Sequence, residues 1–223
     1  MSKKIIIAID GPAGSGKSTA AKNLAQKLGF IYVDTGAMYR AITYIAMQRG
    51  IVDDIKAVID MMKNLDISLK FENGVTRVFV NGEEITDFIR TQEVNSKVSD
   101  ISVIPQVREE LVKLQRQMGA KGNLIAEGRD TTTVVFPQAD IKVFLTATLD
   151  ERAKRRYKEY LEKNINTTLD EVRDSIANRD RIDSGREVSP LRKADDAIEI
   201  DNSNTPIEEE IEFLLKKISE IRD

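Results

Sequence analysis

Residues Gly11 to Ser18 have the spacing G-x-x-x-x-G-K-S, and the apolar run Ile5 to Ile9 stands directly ahead of them. A glycine-rich turn between a strand and a helix can wrap its backbone N–H groups round a chain of phosphates. Gly11, Gly14 and Gly16 permit the close backbone approach, and Pro12, Ala13 and Ser15 complete the loop. Lys17 supplies a point charge between the β- and γ-phosphates, and the Ser18 hydroxyl suits Mg²⁺. Thr19 continues the set into a helix whose positive dipole end faces the anion. The chemistry indicated is binding of a nucleoside triphosphate.

Further charges fall at the carboxyl ends of two other apolar runs, where open α/β sheets place ligands. Asp34 ends the run in YVDTGAMYR, with Tyr39 and Arg40 about one helical turn further on; the alternative is that Asp34 or Thr35 only caps the following helix. In LIAEGRD, Glu127, Arg129 and Asp130 hold the equivalent place. Two such clusters beside a phosphate loop favour a second ligand facing the triphosphate. Arg179, Asp183 and Arg186 lie in RDRIDSGREVSPL. Arg179 and Asp183 at i, i+4 also fit an ordinary surface ion pair, although that leaves Arg186 without a task. Arg152 and Arg156 share one helical face, with Glu151, Arg155 and Glu159 able to form a solvated ladder on another. Arg152 and Arg156 are expected either to meet ATP phosphates or to face solvent, and Arg156 is assigned to the ATP side.

The chain has no histidine and no cysteine. Serine–histidine and cysteine–histidine catalysis, disulfides and thiolate metal sites are thereby excluded. Phosphoryl transfer runs on the inventory that remains, because its catalysis is mostly positioning and charge neutralisation. A net charge of −3 gives no global basic footprint for a nucleic-acid polymer, so the partners are expected to be small. The N-terminus shows no apolar stretch long enough for a signal peptide or a membrane span, and a cytoplasmic protein without membrane attachment is expected.

The elements that must position these groups alternate. Strand-like runs lie at 5–9, 31–33, 124–126, 141–147 and 197–200, short and apolar as in a parallel sheet buried on both faces. Helical patterns occupy 17–28, 37–49, 105–118 and 206–218, three of them closed by Gly29, Gly50 and Gly119. An α/β class with a five-stranded parallel sheet follows. Residues 67–86 instead alternate with period two about Asn73-Gly74 and Asn81-Gly82, which predicts a small antiparallel meander inserted in the main domain. Charged helical stretches at 151–163 and 168–181 have few large apolar residues to anchor them and predict a mobile lid. A chain of 223 residues suits one such domain, 1–223, with insertions.

The ordered runs IAIDGPAGSGKSTAAKNLAQKLGFIYVDTGAMYRA, RTQEVNSKVSDISVIPQVREELVKLQRQ, EGRD with TVVFPQADIKVFLTA, ERAKRRYKE, and RD with DSGREVSPL and ADDAIEID resemble the bacterial type of cytidylate kinase over nearly the whole chain. The resemblance implies a three-layer P-loop kinase fold, with 63–90 as the nucleoside-monophosphate-side insert and 150–190 as the lid. It implies a monomer that phosphorylates CMP and dCMP with ATP and Mg²⁺. Carried over, Arg40, Arg129 and Arg186 hold the acceptor phosphate, Ser99, Arg108 and Asp130 the cytosine, and Arg179 and Asp183 the ribose. Tyr39 walls the acceptor site and Asp34 orients Mg²⁺ through water. Lys17, Arg129, Arg186 and Asp34 are the catalytic set. The chain departs from the family pattern after GRD, where an apolar residue and a glycine are replaced by Thr131 and Thr132. A kinase for another small acceptor is the nearest rival. A GTP-dependent switch would need N-K-x-D and D-x-x-G runs, which the chain lacks.

Overall fold

The computed structural model describes residues 4–72, 74–120 and 122–222. In chain order the elements are β1 (Ile6–Asp10), α1 (Lys17–Leu28), β2 (Ile31–Asp34), α2 (Thr35–Gln48), α3 (Ile55–Met62), β3 (Ile67–Glu72), β4 (Val75–Val80), β5 (Glu83–Glu84), a 3₁₀ turn (Phe88–Arg90), α4 (Gln92–Ser102), α5 (Pro105–Gly119), β6 (Leu124–Gly128), a π-helical turn (Thr131–Val135), β7 (Ile141–Thr146), α6 (Leu149–Glu162), α7 (Leu169–Gly185), β8 (Ile198–Asp201) and α8 (Ile207–Arg222).

Five strands form a parallel sheet in the order β2-β6-β1-β7-β8. The connection leaving β1 runs toward one edge of the sheet and that leaving its neighbour β7 toward the other, which puts the loop after β1 at the switch point where such sheets bind ligands. Ile7 and Ile9 of β1 join Leu24, Ile125, Val143, Leu145 and Leu214 in a core beneath α1 and α8. Ala8 points the other way, with Val33, Ala126, Val112 and Phe136. Both sheet faces are therefore dry, as their unbroken apolar strands require.

The meander forms a three-stranded antiparallel sheet, β3-β4-β5, but its last strand has only two residues. Asn81 and Gly82 take positive φ, 52° and 83°, as a tight hairpin turn demands. Gly74 is also at positive φ, and Asn73 lies outside the described residues. Val78 and Val80 pack this sheet onto α2 through Met38 and Ile42.

Helices α3 and α4 were not anticipated. The polar sequence of α4 hides a stripe at Val94, Val98 and Ile101 that is buried against the core. α6 and α7 are anchored better than their composition suggests: Ala13 of the phosphate loop packs with Ala153, Val172 and Ile176, backed by Tyr157 and Tyr160. Among the described residues no helix is long and apolar enough to cross a membrane.

Candidate active site

A cavity of about 430 Å³ opens above the carboxyl ends of β1, β2 and β6 and is roofed by α6 and α7. Its floor is the phosphate loop. Gly14 and Gly16 hold φ of 76° and 87°, a conformation closed to most side chains. A Cβ on Gly11 would overlap the Leu145 carbonyl oxygen, so β7 packs directly on the loop. Gly11, Pro12 and Ser15 shape the loop from behind, while Ala13, Gly14, Gly16, Lys17, Ser18 and Thr19 line the cavity.

The Lys17 ammonium is buried and donates to the Pro12 carbonyl at 3.1 Å. Burial, aided by the neighbouring charges of Arg129 and Arg179, lowers its pKa to about 7. The Ser18 hydroxyl donates to Glu127 Oε1 at 2.7 Å, and the Tyr32 hydroxyl reaches the same oxygen at 3.2 Å. Asp34 lies further round the rim and serves two purposes that the sequence left as alternatives. It caps α2 by accepting from the Ala37 N–H at 2.8 Å, and it pairs with Arg40 at 2.9 Å and Arg90 at 2.8 Å. Burial opposes its charge, yet the two guanidiniums and that N–H hold the carboxyl at about 2. Among the described residues no group of three or more acidic, histidine or cysteine side chains is placed to hold a metal ion by itself. The donor set at Ser18 is nevertheless all oxygen, with one or two carboxylates and room for phosphates and water, which is the environment Mg²⁺ uses in nucleotide sites.

The opposite wall carries a second constellation. Arg108 and Asp130 form a buried pair at 2.5 Å, and Arg108 also donates to the Ser102 carbonyl at 2.9 Å. The guanidinium lies 5.3 Å from the centre of the Tyr39 ring. Burial, with the Asp130 charge beside it, pushes the Tyr39 phenol well above its ordinary pKa. Ser102, Asn95 and Val98 line this end; Ser99, on the same stretch of α4 between Asn95 and Ser102, is buried and is not among the lining residues.

Asp183 anchors a cluster of arginines from two elements. It is 1% exposed and accepts from Arg129 Nε at 2.8 Å, with Arg186 at 3.4 Å and Arg179 at 3.8 Å. A surface ion pair between Arg179 and Asp183 is therefore ruled out: the nearest cation is the distant-in-sequence Arg129, and Arg186 has its task in the same cluster. Burial and then Arg129 depress Arg179 to about 10, whereas the three guanidiniums keep Asp183 ionised against its own burial. Arg40, Arg129, Arg179 and Arg186 all line the cavity.

The roof corrects the reading of the α6 arginines. Arg152 does not face a ligand; it is buried, donating to the carbonyls of Ala147 and Ala13 at 2.9 and 3.0 Å and to Asp180 at 2.5 Å. Asp180 also accepts from the Ala13 N–H at 3.1 Å, so this pair grips the loop peptide from both sides. Arg156 does line the cavity and pairs with Glu159 at 3.2 Å. No Glu151–Arg155–Glu159 ladder exists, because Arg155 turns to the Asn202 side chain and carbonyl at 2.9 and 2.7 Å. Arg155 and Asn202, with Gly16, Thr19 and Glu210, line a second hollow of about 310 Å³ behind the loop. Arg90, Ser102, Asp180 and Asn202 were missed by sequence reasoning. Only Asn202 had a usable signal, since it follows the carboxyl end of a core strand.

A family model described as cytidylate kinase matches residues 7–220. A cytidylate kinase from Geobacillus sp. is 47% identical over 221 residues, covering 99% of each chain. Another from Streptococcus sanguinis is 49% identical over 223 residues with the same coverage. An uncharacterized protein from Eubacterium ventriosum, solved by crystallography, shares the fold at a TM-score of 0.51 and 14% identity, covering 97% of this chain and 99% of its own.

Proposed function

The chain belongs to the cytidylate kinase family of ATP-dependent nucleoside monophosphate kinases, and from that premise we propose that it transfers the γ-phosphoryl group of ATP directly to CMP and dCMP. The observation that carries the acceptor assignment is the buried Arg108–Asp130 pair beside Tyr39, on the same cavity as the phosphate loop. Cytosine presents a 4-amino donor that a carboxylate accepts, whereas uracil presents a carbonyl oxygen that a carboxylate repels. Arg40, Arg129 and Arg186 are suited to the acceptor phosphate as planar forks, and Arg179 and Asp183 to the ribose.

On the donor side the loop N–H groups, Lys17 and Thr19 hold the triphosphate, with Arg156 reaching it from α6. Mg²⁺ would be held by Ser18, with Glu127 and Asp34 orienting its water, and when bound it neutralises charge on the phosphates. Lys17, Arg129 and Arg186 screen the repulsion between the attacking oxygen and the transferring group, so an in-line displacement needs no covalent intermediate and no histidine base. Exclusion of water asks the lid, 150–190, and the insert, 63–90, to close over the pair of substrates within the single domain 1–223. We assign the protein to the cytoplasm as a monomer, with its small nucleotide substrates as its partners.

A coupled ADP-release assay with ATP across CMP, dCMP, UMP, AMP, GMP and shikimate tests the reading. The highest kcat/KM is expected for CMP and dCMP. Equal or better use of a purine monophosphate or of shikimate would overturn the acceptor assignment.

A further inference from the structure

We propose that Thr131 and Thr132 are positioning residues that clamp the Asp10 carboxylate and so lock the start of the phosphate loop to the turn carrying Asp130. The inference rests on the phosphate-loop and base-pocket assignments above and adds a physical link between them.

Asp10 is the last residue of β1, directly before Gly11, and it is fully buried. Among the described residues it makes no ion pair. Its partners are four donors from two consecutive residues. Oδ1 accepts from the Thr131 N–H at 2.9 Å and from the Thr131 hydroxyl; Oδ2 accepts from the Thr132 N–H at 2.7 Å and the Thr132 hydroxyl at 2.6 Å. Both threonines are buried. An isolated carboxylate without a cation is expensive to bury, and multiple donors are the means of keeping it charged.

The same turn is wound onto Asp130. Its backbone carbonyl accepts from the N–H groups of Val134 and Val135 at 2.8 and 3.1 Å, and Arg116 closes the turn through the carbonyls of Val134 and Val135. One buried carboxylate thus joins the residue before the donor-phosphate loop to the two residues after the proposed cytosine reader. The pattern that the chain resembles would place an apolar residue and a glycine here, neither with a hydroxyl. Two of the four donors are therefore particular to Thr131 and Thr132.

A pH signature separates this role from simple packing. Burial raises the Asp10 carboxyl, the threonine donors lower it, and Asp130 raises it further from the turn. Asp130 is the charged group bearing on Asp10, and its own charge is turned toward Arg108. Without the hydroxyls, protonation of Asp10 should begin at a higher pH, releasing the loop from the turn.

The test compares wild type with Thr132→Val, Thr131→Val/Thr132→Val, Thr132→Ser, Asp10→Asn and Asp10→Asn/Thr132→Val. Readouts are kcat and KM for ATP and CMP between about pH 5.5 and 9, with Tm recorded for each. The double valine variant is expected to lose roughly tenfold to a hundredfold in kcat, the scale of a misplaced reacting group. Its acid limb in kcat/KM should move to higher pH, and Thr132→Ser should restore the wild-type profile. In the Asp10→Asn background, Thr132→Val should move the profile no further. A lowered Tm with wild-type kcat, KM and pH profile would overturn the proposal, and Thr132→Val alone decides it if the double variant does not fold. Lys17→Ala, assayed alongside, distinguishes the failures: retained activity there rejects the phosphate-loop reading, whereas silent threonine variants beside a dead Lys17→Ala reject only the clamp.

Discussion

Replacing Asp183 by alanine removes the one carboxylate that Arg129, Arg179 and Arg186 share. Asp183 is 1% exposed and bonded to Arg129 at 2.8 Å, so the change leaves three guanidiniums facing one another without a counter-charge. Breaking a buried pair costs about 3–5 kcal/mol, against less than about 1 kcal/mol for a surface pair. Solvent reaches Arg129 and Arg179, at 16% and 24% side-chain exposure, which argues for the lower end of the range. At about 2–4 °C per kcal/mol for a chain of this size, Tm should fall by roughly 6–12 °C. The pH dependence has a definite sign. The depressed Asp183 pKa contributes stability that is complete above the ordinary carboxylate value of about 3.9 and is lost as pH falls through the lower folded value, so the variant should show a flatter acid profile. A phosphate dianion can take the place of the missing charge. CMP should therefore raise the variant's Tm by more than it raises that of wild type, while kcat/KM falls more for CMP than for dCMP if Asp183 meets the ribose 2′-hydroxyl. The measurements are calorimetry with and without CMP, then steady-state kinetics on both acceptors. A Tm drop under about 2 °C with unchanged kcat/KM would refute both the electrostatic argument and the ribose assignment.

Three other outcomes are expected. Lys17, held at about 7 by burial and the neighbouring guanidiniums, should become fully charged against a triphosphate, so ATP binding takes up close to one proton above neutral pH; calorimetry near pH ~8.5 in buffers of different ionisation enthalpy reads this, and zero uptake would contradict it. The same depressed value means that this lysine weakens the free protein progressively as pH falls from its unfolded pKa of about 10.4 toward 7, and adds nothing further below that. Asp130→Asn should lower kcat/KM for CMP and narrow a CMP-over-UMP preference that hydrogen-bonded sites can raise to roughly 10⁴-fold; an unchanged ratio would mean that Asp130 does not read the base. Glu127→Gln should raise the Mg²⁺ concentration for half-maximal rate about tenfold, the scale of losing an outer-shell partner, and an unmoved Mg²⁺ titration would detach Glu127 from the metal.

The sheet and the phosphate loop were legible because both are written locally. Short apolar runs with turn residues between them and helical patterns alternating with them read as buried parallel strands, and the spacing of Gly11, Gly16, Lys17 and Ser18 after the first of them reads as a phosphate loop. What failed to show was anything decided by which distant element arrives. The i, i+4 spacing nominated Arg179 as the partner of Asp183, but β6 delivers Arg129 a full ångström closer. Arg155 has ladder partners on its own helix, yet β8 ends beside it and Asn202 offers both an amide oxygen and a carbonyl. Ser102 lines the cavity and its hydroxyl is held by the Ser99 carbonyl one turn earlier on the same helix face, a pairing within α4 that spacing alone does not single out.

The distribution of charge explains how an acidic chain can serve two polyanions. Ten lysine and arginine side chains line the main cavity against five aspartates and glutamates. That surplus of five positive charges sits within a chain whose total is −3, so everything outside the cleft sums to −8. The acidic exterior discourages non-specific capture of nucleic acid, while the cleft focuses a positive field on small phosphates. Inside, the excess is left uncompensated by design of the pairings: Asp183 serves three guanidiniums and Asp34 serves two. Each arginine so shared has N–H donors to spare; burial first, and then the repulsion of the neighbouring guanidiniums, depresses the pKa values of Lys17 and Arg179. Two phosphate groups brought together would relieve that repulsion and have their own mutual repulsion screened at the same time. The cavity's positive surplus thus favours two bound phosphate groups over either one alone, and the prediction for Asp183→Ala follows from removing one of its few counterweights.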